Sequence, residues 1–135
     1  MEINFMAVAL GGVAFWVLGA LWYSPLLFGK AWQSEVGLSD DDIKGGNMAI
    51  IFGGSLILMM MMSMALYFAV ASHPAEEMTF THGMFHGMMM GVLTAAASMG
   101  INYLYQRRSI KLFAIDAIYQ VLGLALSGGV MALLI

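Results

Sequence analysis

Three histidines and a group of methionines near the middle of the chain have the types and spacing to hold a soft or borderline metal ion. His82 and His86 stand four residues apart, so on a helix both imidazoles reach one ion. His73 lies just upstream, with Glu76 and Glu77 between, and Met78, Met84, Met88, Met89 and Met90 surround the pair. Imidazole suits zinc, copper and nickel, and thioether sulfur selects Cu(I). The candidate ligands are therefore His82, His86, His73 and Met90, for Cu(I) or Zn(II). Two histidines on one helix cannot take opposite faces of a haem. The competing reading is packing. Methionine fills 15 of 135 positions, including Met59–Met62 where no other ligand is near, and it is a flexible packing residue.

A second candidate is Asp116, the only acid inside a long apolar run. It falls roughly 9 Å past Ile110 at the rise of a helix. Tyr119 and Gln120 share its face at i+3 and i+4. Asn102, Trp22 and Tyr23 are expected at the same depth, completing a polar cluster of Asp116, Asn102, Tyr23, Trp22, Tyr119 and Gln120. An acid within a membrane span marks a functional site by default, for a proton or a cation. The alternative is a polar clasp, in which Asp116 accepts bonds from Tyr23, Trp22 or Asn102, or pairs with Lys30 or Arg108.

Other chemistry has little to stand on. The chain has no cysteine, hence no disulfide and no thiolate site. It has no glycine-rich phosphate loop, no HExxH and no Ser-His-Asp arrangement. Asp40, Asp41 and Asp42 point in different directions at a helix start, where capping explains them. The expectation is a protein that is not an enzyme. Nucleic-acid binding has no support.

The elements that must position these residues follow from the charge pattern. Hydrophobic residues are 61% of the chain and charged ones 10%. Four apolar runs reach the roughly 20 residues that cross a bilayer: Ile3–Tyr23, Asn47–Ala71, Phe80–Tyr105 and Ile110–Leu134. Backbone in lipid must satisfy its own hydrogen bonds, so continuous runs of this length are helices. All five basic residues lie in the two connecting segments: Lys30 and Lys44 in residues 24–46, and Arg107, Arg108 and Lys111 in residues 106–111. Short basic loops stay cytoplasmic. The expected fold is all-α: an integral membrane four-helix antiparallel bundle of one domain. Both termini would be extracytoplasmic and both basic loops cytoplasmic, in a bacterial inner membrane. Anionic lipid explains the basic residues at that surface.

Pro25 ends the first run, and Leu26–Gly37 reads as a short interfacial helix. Ser39 with Asp42 forms a capping-box pattern. Pro74 followed by Glu76 and Glu77 reads as a helix start, which would begin span three above the lipid. Within span three, Gly83, Gly87, Gly91 and Ala95 repeat every fourth residue, a row that lets another helix approach closely. Beside it runs His82, His86, Met90, Thr94, Ser98, Asn102. Span three is accordingly expected to be the helix buried on most sides, with Gly53-Gly54, Gly123 and Ser127 as its facing surfaces.

The segment Leu18–Trp32, with Trp22-Tyr23-Ser24-Pro25 at its centre, resembles the bacterial membrane proteins grouped as domain of unknown function 1761. The resemblance continues through Gly37-Leu38-Ser39, Gly46–Ala49, Gly100–Leu104 and Lys111–Ala117. It implies four spans and no established activity, and it brings no catalytic residue. The His82–Met90 segment lies outside the motifs that carry it. Together these readings give a small multi-pass membrane protein, expected to act as a structural or accessory subunit by self-association or within a larger membrane complex. The alternatives are a small ion or solute carrier using Asp116 and the polar row, and copper or zinc binding at His82 and His86.

Overall fold

The computed structural model describes residues 2–135. Four helices are long and apolar enough to cross a membrane: α1 (Phe5–Trp22), α4 (Met48–Val70), a third span over Phe80–Gln106, and α7 (Ile110–Ala132). The third span is composite. It runs as α5 (Phe80–Met90), a π-helical stretch Gly91–Ala96 and α6 (Ala97–Gln106). Two short helices, α2 (Gly29–Val36) and α3 (Asp40–Lys44), fill the first connection. The expected spans and interfacial helix are present, each bounded within a few residues of its expected limits. Among the described residues there is no strand.

Helices α1, α3, α4, α5 and α7 each start where a side chain replaces a missing intrahelical partner. Asn4, Asn47, Thr79 and Ser109 accept from the first turns of α1, α4, α5 and α7. Ser39 and Asp42 close the capping box of α3. Pro74 does not open span three. It precedes a single 3-10 turn, Ala75–Glu77, and α5 begins only at Phe80 behind the Thr79 cap. The tight connection before α7 ends α6 on Arg107 with φ 56°, a left-handed cap without glycine.

The centre of the bundle is α7, not span three. Half of the apolar stretch of α7 is buried, against 11% for span three. One face of α7 takes α5 and the other takes α1. The glycine row does act as a docking strip, but on one side only. A Cβ on Gly83 or Gly87 would overlap the backbone carbonyls of Gly128 and Leu124, and one on Gly91 would meet Val121 Cα at 2.7 Å. These contacts leave no room for any side chain, which is why glycine stands there. On the opposite face, Gly123 leaves space for the ring of Phe15 in α1. Gly53 and Gly54 of α4 have nothing within 4 Å and do not pack on span three.

The two ends of the bundle differ. At one end Asn4 donates from Nδ2 to the Leu134 carbonyl at 2.8 Å and from its backbone to the Tyr67 hydroxyl at 3.0 Å, and Tyr67 donates to the Glu2 carbonyl at 3.2 Å. Both termini are thereby fixed beside the end of α4, on the face that carries the histidines. The other end carries all five basic residues, each exposed. Glu35 of α2 bridges to the later basic loop, accepting from Ser109 Oγ at 2.7 Å and lying 3.9 Å from Lys111 Nζ.

Candidate functional site: an acidic aromatic crevice and a histidine cluster

Asp116 lies on α7 about one and a half turns past Ile110 and is 7% exposed. Its Oδ1 accepts from the Tyr23 hydroxyl at 2.6 Å, and its Oδ2 accepts from the Tyr103 hydroxyl at 2.5 Å. Tyr23 is the cap at the end of α1, and Tyr103 belongs to α6. The carboxylate therefore joins three spans. A hydrogen bond to a charged acceptor is worth about 1.5–3 kcal/mol, enough to hold both rings in one orientation.

The other expected members are placed differently. Trp22 is buried beside the cluster, but its indole donates to the Ile115 carbonyl at 3.0 Å. Tyr119 packs edge-on against the Tyr23 ring at 5.3 Å, while its hydroxyl donates to the Phe15 carbonyl at 2.8 Å. Gln120 faces the same space, and its Oε1 is buried without a donor. Asn102 is a correction: it is exposed on the outside of span three and makes no side-chain bond among the described residues. Lys30 and Arg108 do not pair with Asp116 either.

Tyr103 replaces Asn102 for a reason of register. A π turn holds an extra residue, so every position after it is displaced around the axis relative to an unbroken α-helix. Before the slip the inner face is Gly83 and Gly87; after it, Met99, Gly100 and Tyr103 turn inward. Thr94, Ser98 and Asn102, which continue the histidine row by fours, turn outward. The polar row thus changes face at Gly91–Ala96, while the row of small residues stays on the inner side. Ala95 lies in this stretch, half-buried against the core. No signal in the composition marks the slip.

Asp116 lies at the floor of a crevice of about 580 Å³ that opens between α1, α4, α6 and α7 beneath α2 and α3. The walls are aromatic, with Trp16, Tyr23, Trp32, Phe52, Tyr103 and Tyr119 all contributing. Two acids line it, Asp116 and Asp42, and no lysine or arginine does. Asp42 is solvent-exposed, and its carboxyl is held below the usual range by the Ser39 backbone N–H and then by the Ser39 hydroxyl. A crevice acidic at both depths thus sits within the otherwise basic end of the protein. A compartment of this size suits a small organic molecule. Aromatic faces and a carboxylate attract a cation.

At the opposite end, His73, His82 and His86 come together, with one ligand atom from each within 4.8 Å of the others. Glu76 and Glu77 are exposed in the loop and do not join them. Met90 packs against the hydrophobic core on the flank of the π stretch.

Comparison with known proteins adds the family. The model of a family described as "Protein of unknown function (DUF1761)" matches residues 6–132. No curated protein and no solved structure matches the chain.

Proposed function

The chain belongs to the DUF1761 family of unknown function, and we propose that it is a non-enzymatic membrane protein that binds a small organic cation in the crevice above Asp116. The observation that carries this reading is a buried carboxylate at the floor of an aromatic crevice that no basic residue lines. Each Asp116 oxygen has one tyrosine donor and retains a lone pair for a ligand. The unpartnered Gln120 Oε1 offers a further acceptor. A protonated amine satisfies both groups with its N–H donors, whereas a quaternary ammonium satisfies neither. Aromatic contact adds about 0.5–2 kcal/mol. The basic loops orient the crevice towards the cytoplasm.

Trp16 and Trp32 line the crevice, so tryptophan fluorescence of the protein in nanodiscs reports binding. Phenethylammonium should bind saturably, and at least about tenfold more tightly than its trimethylammonium analogue, as expected for about 1.4 kcal/mol per decade. Asp116→Asn should abolish that preference with the helical content retained. Equal affinity of wild type and Asp116→Asn for the amine would overturn the reading.

A second reading, self-association, has its own support. Thr94, Ser98 and Asn102 form a polar strip on the outside of span three, and Gly53 and Gly54 leave a bare patch on α4. Polar strips and small residues on a lipid-facing surface are the usual means of helix association in membranes. Native mass spectrometry should find an oligomer that dissociates when Ser98→Leu and Asn102→Leu are combined; an unaltered monomer in both proteins removes this reading.

A further inference from the structure

The loop after α4 and the first two turns of α5 bring three imidazoles into one triangle. Ring centroids are 4.8 Å apart for His73 and His82, 4.5 Å for His73 and His86, and 4.8 Å for His82 and His86. Each ring is half-buried, so the group is neither sealed in the core nor loose in solvent.

The hydrogen bonds around the triangle fix which nitrogens face inward. His82 Nδ1 lies 2.9 Å from the Glu77 carbonyl. A carbonyl only accepts, so Nδ1 carries the proton and Nε2 presents its lone pair. The same holds for His73. Its Nδ1 lies 3.2 Å from the Ala69 carbonyl and 3.2 Å from Ser72 Oγ. The Ser72 hydroxyl already donates to the Ala69 carbonyl at 2.7 Å, so it cannot also donate to His73, and His73 Nδ1 must be the donor. Two of the three rings are thus held by backbone carbonyls in the tautomer with Nε2 free, the outer-shell arrangement that orients metal-bound histidine. The third, His86, points its Nε2 at His82 Nε2 from 2.9 Å. Metal–nitrogen bonds of about 2.0–2.1 Å in a tetrahedron place ligand nitrogens about 3.3 Å apart. The pair needs to open by only a few tenths of an ångström to admit an ion.

We propose that His73, His82 and His86 form a three-imidazole site for a borderline divalent transition metal of the Zn(II) class, with a fourth position open to solvent. Three nitrogen donors without sulfur favour such an ion over Cu(I). The site ties the connection after α4 to the start of α5. It lies at the end of the bundle away from Asp116, and nothing about it depends on cation binding in the crevice.

The test uses full-length protein without a polyhistidine tag, in lipid nanodiscs, equilibrated with zinc chloride and desalted before elemental analysis. The expected result is about one zinc per chain. His73→Ala should lower affinity at least about tenfold, and His82→Ala combined with His86→Ala should abolish retention. His73 is in a loop, so its removal leaves the spans intact, and circular dichroism checks this. Cobalt(II) substitution should give the absorption of a four-coordinate nitrogen site in wild type and lose it in His73→Ala. Zinc retained equally by the His82→Ala/His86→Ala protein, or absent from wild type, overturns the proposal, as does a cobalt spectrum unchanged by His73→Ala.

Discussion

At the histidine end of the bundle α5 meets α7 backbone to backbone, while at the basic end α6, part of the same span, barely touches α7 and leaves room for a crevice. One span thus has two packing modes. Glycines at 83, 87 and 91 bring the closed half in until backbone atoms of α7 occupy the place of a side chain. In the open half the contact is ordinary: a Cβ on Gly100 would sit 3.4 Å from the Phe113 ring. The π stretch Gly91–Ala96 lies between the two. Close packing without side chains gives rigidity and no cavity. Side-chain packing around a carboxylate gives a cavity at the cost of polar groups in the membrane, which the two tyrosines offset. The protein carries out these tasks at different depths, so the closed half can serve as the frame for the open one.

The sharpest way to break this contrast is to add one methyl group to each kind of glycine. Gly87→Ala should cost at least about 3 kcal/mol, as overpacking against backbone that cannot yield. Gly53→Ala, facing open space, should be neutral or stabilise by up to about 1 kcal/mol through helix propensity. Unfolding in mixed micelles by SDS titration compares them directly. Similar costs would mean that the glycine strip is not what closes the bundle.

In the open half the corresponding test is a hydroxyl. Tyr103→Phe removes the α6 donor to Asp116 and should cost about 2 kcal/mol, the range for bonds to a charged acceptor. Tyr119→Phe, which loses a bond to a neutral carbonyl, should cost about 1 kcal/mol. The same titration ranks them. If Tyr103→Phe proves the milder, α6 is held by its contacts with Phe113 and the carboxylate is not the link between spans.

The smallest effect lies at the end of α6. Arg107 adopts a left-handed conformation that glycine accepts freely. Arg107→Gly should raise stability by about 0.5–1 kcal/mol in the same assay, a local gain that leaves both packing modes as they are. A loss instead would show that the Arg107 charge matters more at that helix end than its backbone geometry.

The four spans were legible because an apolar run of some 20 residues has few other uses, and the α3 cap because Ser39 with Asp42 has a specific spacing; the caps at Asn4, Asn47, Thr79 and Ser109 were not read from the sequence. The glycine strip was legible as a strip, and span four was one of its two expected partners, but the surface that meets it is Val121, Leu124 and Gly128 rather than Gly123 and Ser127, because spacing does not show which face comes close. That α7 rather than span three is central depends on three neighbours at once, which no single segment displays. The Asp116 site was half legible. An acid in an apolar run announced itself, and Tyr23 followed from depth. Tyr103 did not: depth and polarity selected its neighbour Asn102, and depth says nothing of which of the two turns inward after the π stretch. His73 was named with the other two from its nearness in sequence, while the loop path that brings its ring to theirs is not described by spacing along a helix.

The central position of α7 also bears on how the protein is made. The ribosome releases α1, α4 and the third span before α7; α1 and α4 pack on each other directly, but the third span docks chiefly on α7. Insertion of the early spans can proceed one by one, since each is apolar enough to lie in lipid alone. Docking of the third span has to wait. Gly83 and Gly87 have no surface to meet, Phe15 no recess at Gly123, and Tyr23 and Tyr103 no carboxylate, until the final helix enters the bilayer. A quality-control protease that samples the nascent chain would therefore meet an undocked third span first and a folded protein only after Asp116 has arrived.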